Sequence, residues 1–329
     1  MRNILRINPL EKAQVSQREA GDYLHAVAQQ VLESYGRDYG NTPWEEISGR
    51  TKEIVQNYLE QNYPQQVRET ARFAALSSDM QQNALELLEY IHTEQQDSSF
   101  RPVAFEKRIA FDSDLKPVAI SIGEGKKVSV AGVCDRIDIM EKDGKSYVRI
   151  VDYKTGTKKF VLEDVYNGLS GQLLLYMNSV MESDTFAQNP VAAAVMYQPS
   201  DAAFKFDEEG SLYMPTGMVL EDSDVCQGFD RENGGRYGLI KNDGKFKSVP
   251  GSVMVSEKMF DAVLGHTKDK IEEMARNVYG GHFDNIPMDL GAGQTSCQWC
   301  GYRIICRNFD RIKPRLPAEF NVKEEEKDE

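Results

Sequence analysis

The 329-residue chain has no run approaching the ~20 apolar residues of a membrane-spanning helix. Its first residues also lack the charged, apolar and small-residue succession of a secretory signal, so a cytoplasmic protein with no membrane partner is expected. Cysteine is scarce, at five residues, and three of these are clustered at Cys297, Cys300 and Cys306. That distribution excludes a secreted disulfide framework and reads as a metal site in a reducing compartment. No Gly-x-x-x-x-Gly-Lys-Ser/Thr occurs, so the chain carries no ATP motor of its own. Internal repeats are absent too. Basic residues are outnumbered, with 39 Lys and Arg against 52 Asp and Glu and a net charge of −13. Such a balance disfavours indiscriminate coating of nucleic acid, so any contact with it must use local basic stretches. The terminal run from Glu324 to Glu329 inflates the acidic total.

What the chain does have is a central stretch, residues 132–154, in two halves rich in β-branched and aromatic residues. Asp143-Gly144 between them is a strong hairpin signal. Side chains alternate along a strand, which puts Asp152 and Lys154 on one face and Tyr153 on the other. Asp135 on the partner strand lies within reach of that pair. Two carboxylates and a lysine suit a divalent cation with a charged helper; an exposed, salt-bridged strand pair is the alternative.

Before this stretch, Ser16-x-x-Glu19 is a capping box opening a helix to about Gly36. Ala20, Leu24, Val27, Ala28, Val31 and Leu32 form its apolar stripe and His25 its flank. From this helix alone, His25 reads as a partly buried core residue. Helical spacing continues from Trp44 to about Tyr63 and from Pro64 to about Gln96. Pro64 fits a first-turn position, and Val67, Ala71, Ala74, Ala75, Leu85, Leu88 and Ile91 would form the packed face. Arg68 and Arg72, at i and i+4, would share a face and could hold a strand of nucleic acid, or be ordinary solvated charge. Residues 101–111 alternate as a strand carrying Glu106, and 112–127 read as a polar connection. A helix from about Gly168 to Glu182 places Gln172 and Tyr176 on one face, and 191–197 form a short buried strand. Residues 200–255 read as an insert without identifiable chemistry. Ser256 to Tyr279 is an amphipathic helix with Met259, Val263, Ile271 and Met274 inside.

Three segments in order carry a longer pattern: Gly132-x-x-Asp135-Arg-Ile-Asp138, Val151-Asp152-Tyr153-Lys154-Thr-Gly156, and Gly168…Gln172-x-x-x-Tyr176. Together they resemble the nuclease domains of the RecB/AddB group within the PD-(D/E)XK nuclease superfamily. The likeness covers residues 17 to 312 and is nearest to the C-terminal nuclease domain of AddB-type components of helicase–nucleases. It implies an α/β (α+β) fold, a restriction-endonuclease-like αβββαβ core with an N-terminal helical extension and a C-terminal cysteine module. The expected division is a leader (1–15), helices carrying the site histidine (16–100), the nuclease core (101–199), the insert (200–255), a helix with the cysteine module (256–315) and an acidic tail (316–329).

By the same resemblance Gly21-x-x-x-His25 matches the family's Gly-x-x-x-His, and Glu106 its first acidic position. His25, Asp135, Asp152 and the Tyr153 carbonyl are then expected to hold Mg2+ or Mn2+, with Glu106 completing the shell or holding a water. Lys154 would position the nucleophile, while Gln172 and Tyr176 would orient the lysine or touch the DNA backbone. The implied activity is exonucleolytic cleavage of a single DNA strand during double-strand-break processing, beside an AddA-like partner. A catalytically inactive DNA-binding scaffold and a stand-alone RecB-family exonuclease remain the alternatives.

Cys297-x-x-Cys300-x5-Cys306 suits zinc or an iron–sulfur cluster, three unligated thiols being the other reading. The family resemblance implies a 4Fe-4S cluster completed by an upstream cysteine. None precedes Gly21 here, and Cys134 beside Asp135 is a poor substitute. The chain is therefore expected to be a fragment with an incomplete cluster. Arg303, Arg307 and Arg311 follow at i, i+4 spacing as a candidate phosphate-facing stripe.

Overall fold

The computed structural model describes residues 17–154, 158–199, 214–230, 236–240, 244–282, 286–291, 293–306 and 311–322. The leader, Ser16 of the expected capping box, residues 155–157 and Arg307 lie outside the described residues, as do half of the acidic tail (323–329) and parts of the insert. Among the described residues no helix is long and apolar enough to cross a membrane.

Helix α1 (Gln17–Tyr35) buries Leu24, Val27, Ala28, Val31 and Leu32 of the stripe its periodicity predicts, while Ala20 at its start is half-buried. The adjacent Tyr23 is also buried and donates its hydroxyl to the Met80 carbonyl at 2.9 Å. Helix α2 (Trp44–Asn62) follows, then one turn, α3 (Gln65–Arg68), and the long α4 (Ala71–Asp97). A single helix was expected from Pro64 to Gln96. Instead Thr70 is extended, and its hydroxyl accepts a hydrogen bond from the Phe73 N–H at 3.2 Å. That N-cap starts a new helix, and Pro64 stands outside α3 as its cap residue.

The break resets the buried face. Phe73, Met80, Ala84, Leu87, Leu88 and Ile91 go inside, while Val67, Ala71, Ala74 and Ala75 are exposed and Leu85 is half-buried. Arg68 and Arg72 consequently sit on different helices. Arg68 donates to the Tyr63 carbonyl at 3.1 Å, and Arg72 is exposed.

Strand β1 (Arg101–Ile109) is followed by a hairpin, β2 (Ala119–Gly123) and β3 (Lys126–Ser129), where a polar connection was expected. Next come β4 (Gly132–Lys142) and β5 (Lys145–Lys154). Asp143 and Gly144 have φ of 50° and 75°, the left-handed pair that a primed two-residue turn requires. Helices α5 (Leu162–Tyr166) and α6 (Gln172–Met181) then cross to β6 (Pro190–Pro199), which runs parallel to β5. A parallel neighbour demands such a crossover. The helix expected from Gly168 begins at Gln172, because Gly168 has φ +77° and lies in the preceding loop.

The region read as an insert adds β7 (Thr216–Leu220), α7 (Ser223–Phe229) and β8 (Val253–Val255). It completes a six-stranded sheet of order β1-β4-β5-β6-β7-β8. Helix α8 (Glu257–Tyr279) is capped by the Ser256 hydroxyl and buries Phe260, Val263 and Leu264; Met259 and Ile271 are half-buried. Met274, expected inside, is exposed. A two-stranded piece, β9 (Asp289–Gly291) with β10 (Gln294–Thr295), precedes the single turn α9 (Arg303–Cys306).

Two apolar clusters result. One joins the sheet to α6 and α8 through Leu173, Leu174, Met177, Phe260 and Val263. The other packs α1, α2 and α4 together and reaches the sheet at Tyr153 and Phe105. That second cluster lays α1 across the end of the sheet where Asp135 and Asp152 lie.

Candidate active site

Strands β4 and β5 are in antiparallel register, with Arg136 opposite Val151. This brings Asp135 to the end of β5, where its Oδ2 accepts the Tyr153 N–H at 2.7 Å. The carbonyl of the same residue lies 3.2 Å from His25 Nε2. His25 Nδ1 faces Glu106 Oε1 at 3.1 Å and Asp135 Oδ2 at 3.5 Å. His25 is half-buried as its place on the flank of the stripe predicts, with both ring nitrogens partnered, and it bridges α1 to the strand carboxylates. Among the described residues, His25, Glu106 and Asp135 are the one set of three or more His, Cys, Asp or Glu whose ligand atoms gather, within 4.8 Å of one another.

Glu106 reaches this set through an irregular backbone. Its φ is +42°, a region that costs a non-glycine residue about 1–3 kcal/mol and recurs at functional sites. The register of β1 passes from Phe105 opposite Arg136 to Lys107 opposite Cys134, which leaves Glu106 beside Asp135.

Asp152, buried on β5, has Oδ2 2.6 Å from Lys154 Nζ. This is the i, i+2 same-face pair read from the sequence. On α6 the Gln172 amide donates to the Tyr176 hydroxyl at 3.1 Å. Tyr176 lies against the start of β4: a Cβ on Gly132 would overlap its hydroxyl and come within 2.7 Å of its Cε1. Only glycine at 132 admits the ring there.

Electrostatics follow from crowding three carboxylates around one imidazole. Burial alone would lower the His25 pKa, but the Glu106 hydrogen bond and the charges of Asp135 and Glu106 outweigh it and hold the group up at about 9. Burial, then the charge of Asp152, pushes Asp135 up to about 7 against the pull of His25. Asp152 is also raised, chiefly by burial, with Lys154 opposing. An imidazole, two carboxylates and a main-chain carbonyl converging in this way form an N/O donor set that fits a hard or borderline divalent cation.

Cys297 is half-buried, Cys300 and Cys306 are exposed, and their sulfurs form no gathered donor set among the described residues. Arg303 is exposed on α9, which ends at Cys306. Arg311 lies beyond it outside any helix, so the expected helical stripe is not formed among the described residues.

Sequence reasoning missed the charge network behind the site. Glu94 of α4, Arg136 and Asp138 of β4 and Arg149 of β5 are each at most 1% exposed. Arg149 contacts Glu94 Oε1 at 2.6 Å and Asp138 Oδ2 at 2.7 Å. Arg136 contacts Asp138 Oδ1 at 3.0 Å and Glu94 Oε2 at 3.5 Å, and donates to the Tyr153 hydroxyl at 3.3 Å. Tyr153 is thus held by its ring hydroxyl on one side and serves Asp135 and His25 through its peptide on the other. Charged residues inside the apolar runs of β4 and β5 were the available signal, since buried charges must be paired.

The sheet order, the Asp-x-Lys strand and the helix after it are those of a nuclease fold. The model of the PD-(D/E)XK nuclease superfamily matches residues 1–307, and the chain belongs to that superfamily. Within it, the chain is similar to the B-type subunits of bacterial ATP-dependent helicase/deoxyribonucleases. It is 27% identical over 317 residues to that of Clostridium acetobutylicum, covering 89% of this chain and 27% of the relative. It is 26% identical over 333 residues to that of Thermoanaerobacter sp. strain X514, covering 94% and 28%. For Clostridium botulinum strain Okra the figures are 24% over 336 residues, 96% and 29%. The chain spans little more than a quarter of the length of these relatives.

Proposed function

We propose that this chain hydrolyses phosphodiester bonds of a single DNA strand, with a divalent metal, as the nuclease part of a helicase–nuclease complex. The observation that carries the reading is the convergence of His25, Glu106, Asp135 and the Tyr153 carbonyl beside the Asp152–Lys154 pair. His25, Asp135, Asp152 and the Tyr153 carbonyl would hold Mg2+ or Mn2+, with Glu106 a fifth donor or the anchor of a ligating water. Bound there, the ion would supply charge neutralisation at the scissile phosphate and acidify a water.

The protein's own contribution is positional. Lys154, fixed by Asp152, orients the attacking water and offsets the negative charge that develops on the phosphoryl oxygens. Gln172 and Tyr176, hydrogen-bonded to each other against Gly132, supply polar groups for the strand or for Lys154. Arg72, Arg303 and Arg307 are candidate backbone contacts, and an AddA-like helicase is the candidate partner, as the names of the relatives imply. A 4Fe-4S cluster is not part of the proposal for these three cysteines.

The test is hydrolysis of labelled single-stranded DNA with Mg2+ or Mn2+ by wild type, Asp152→Ala and Lys154→Ala. Metal-dependent cleavage that falls at least 100-fold in both variants is expected, the loss of a group that stabilises transition-state charge. Cleavage that persists in both variants would sink the assignment. A wild type that neither cleaves nor binds metal would leave the inactive scaffold as the better reading.

A further inference from the structure

We infer that Lys158 is a second phosphate-binding cation of the active-site face, clamped over Tyr197 by strand β7, and that it grips a backbone phosphate flanking the one cleaved. This rests on the nuclease reading above and goes beyond it, since it assigns a contact to a residue outside the motifs and a task to the region that carries no motif.

Register supplies the first observation. In the parallel β5–β6 pair, Asp152 is opposite Tyr197, and opposed residues of neighbouring strands project to the same face. The Tyr197 ring therefore lies beside the Asp152 carboxylate. Lys158 Nζ sits 4.1 Å from the centre of that ring, a cation–π contact that holds the ammonium on the active-site face. Asp152, Lys154 and Lys158 share one electrostatic field: the charge of Lys158 acts on Asp152, and that of Lys154 acts on Lys158.

The second observation is the clamp. The Thr216 hydroxyl donates to the Lys158 carbonyl, and Thr216 is the β7 residue opposite Tyr197. Two residues on, the Phe160 N–H donates to the Gly251 carbonyl at 3.0 Å, and its buried ring lies 6.2 Å from that of Tyr197. The main chain at Lys158 is thus tied to both ends of the region 214–251. A surface lysine needs no such fixing.

The third is the charge balance. Lys154 already faces the Asp152 carboxylate at 2.6 Å. Lys158 brings a second ammonium to the same face, half-buried, where burial and then the charge of Lys154 push its pKa down against the opposing pull of Asp152 and Asp164. Like charges held together by the fold are relieved by an anion between or beside them. A phosphodiester strand brings such anions in series, and a compact ammonium suits one as a point charge.

The experiment uses the full chain and a fluorescein-labelled single-stranded oligonucleotide. Anisotropy titrations in EDTA compare wild type, Lys158→Gln, Lys158→Arg and Thr216→Val across a range of salt concentrations. Lys158→Gln is expected to weaken binding about 3–10-fold and to reduce the salt slope by about 0.7, one phosphate contact on a single strand. Lys158→Arg should restore most of both, and Thr216→Val should fall between wild type and Lys158→Gln. In cleavage with Mn2+, KM should rise while kcat stays within about twofold. A neutral methylphosphonate walked along the strand should find one position that weakens wild type and leaves Lys158→Gln unaffected. Unchanged affinity and salt slope in Lys158→Gln, with wild type binding and cleaving, overturns this inference alone. A wild type that neither binds nor cleaves single-stranded DNA overturns the nuclease reading and this inference with it.

Discussion

Replacing Glu94 by Gln tests whether the buried charge network supports the site. Glu94 neutralises two guanidiniums, with Arg149 at 2.6 Å and Arg136 at 3.5 Å, and all three residues are at most 1% exposed. At an effective dielectric of about 20, a charge pair 4 Å apart is worth roughly 4 kcal/mol. After the change, Asp138 alone must serve both arginines. Breaking a buried pair from one side typically costs about 3–5 kcal/mol, because a charge is left uncompensated. The amide oxygen of Gln keeps the shape and one hydrogen bond, so the loss reports charge and not a cavity. With an m-value of about 3 kcal/mol/M, a 4 kcal/mol loss lowers the urea midpoint by roughly 1.3 M. Fluorescence reads this through Trp44, whose ring packs 5.7 Å from that of His92 on α4. The double variant Glu94→Gln/Arg149→Gln leaves Arg136 with Asp138 and should cost less than the sum of the single changes. A loss below about 1 kcal/mol in Glu94→Gln, or strict additivity in the double variant, refutes the reasoning. Acid should act in the same direction. Burial would raise the Glu94 pKa, but Arg149 and Arg136 outweigh it and hold it below the ordinary value. Its contribution is then present above the unfolded pKa and lost as pH falls through the folded one.

Other consequences are as direct. His25, near 9, and Asp135, near 7, hold protons more tightly in the folded metal-free protein than in the unfolded chain. Their stabilising contribution is therefore lost as pH rises through these values, and Mn2+ must displace the same protons. Calorimetry should show Mn2+ affinity rising by about tenfold per pH unit from pH 7 to 9; a flat profile contradicts the donor assignment. His25→Ala should flatten that profile and weaken Mn2+ binding by at least about tenfold. Gly132→Ala drives a Cβ into the Tyr176 ring edge and hydroxyl. Overpacking of this kind costs about 1–3 kcal/mol, and Gly132→Ala/Tyr176→Phe should recover part of it in a thermal melt; no recovery would place the strain elsewhere.

The elements most legible in the sequence were those whose signal is local. Asp143-Gly144 predicted the β4–β5 turn because two left-handed residues are cheap only for such pairs, and the turn then fixed the register of the hairpin. The α1 stripe was read correctly because an amphipathic period persists over five turns. The same method failed at Thr70, where a side-chain cap restarts a helix and shifts its buried face. It failed again over 112–127, where β2 and β3 pair with each other as a hairpin inside a stretch too polar to show an alternating apolar face.

For the site itself, the sequence determined which chemistry is present: the Asp152–Lys154 pair on one strand face, Asp135 across the hairpin, and Gln172 with Tyr176 one helical turn apart. Tertiary structure decided how these groups are wired. It brought His25 to Glu106 across 81 residues and to the Tyr153 carbonyl across 128. It also turned Glu106 inward through a left-handed backbone and set Glu94 behind the hairpin. Periodicity and turn propensity act over a few residues and are written in the local sequence. Pairing of buried charges and donor convergence depend on which surfaces meet, and that follows only from packing the helical layer against the end of the sheet.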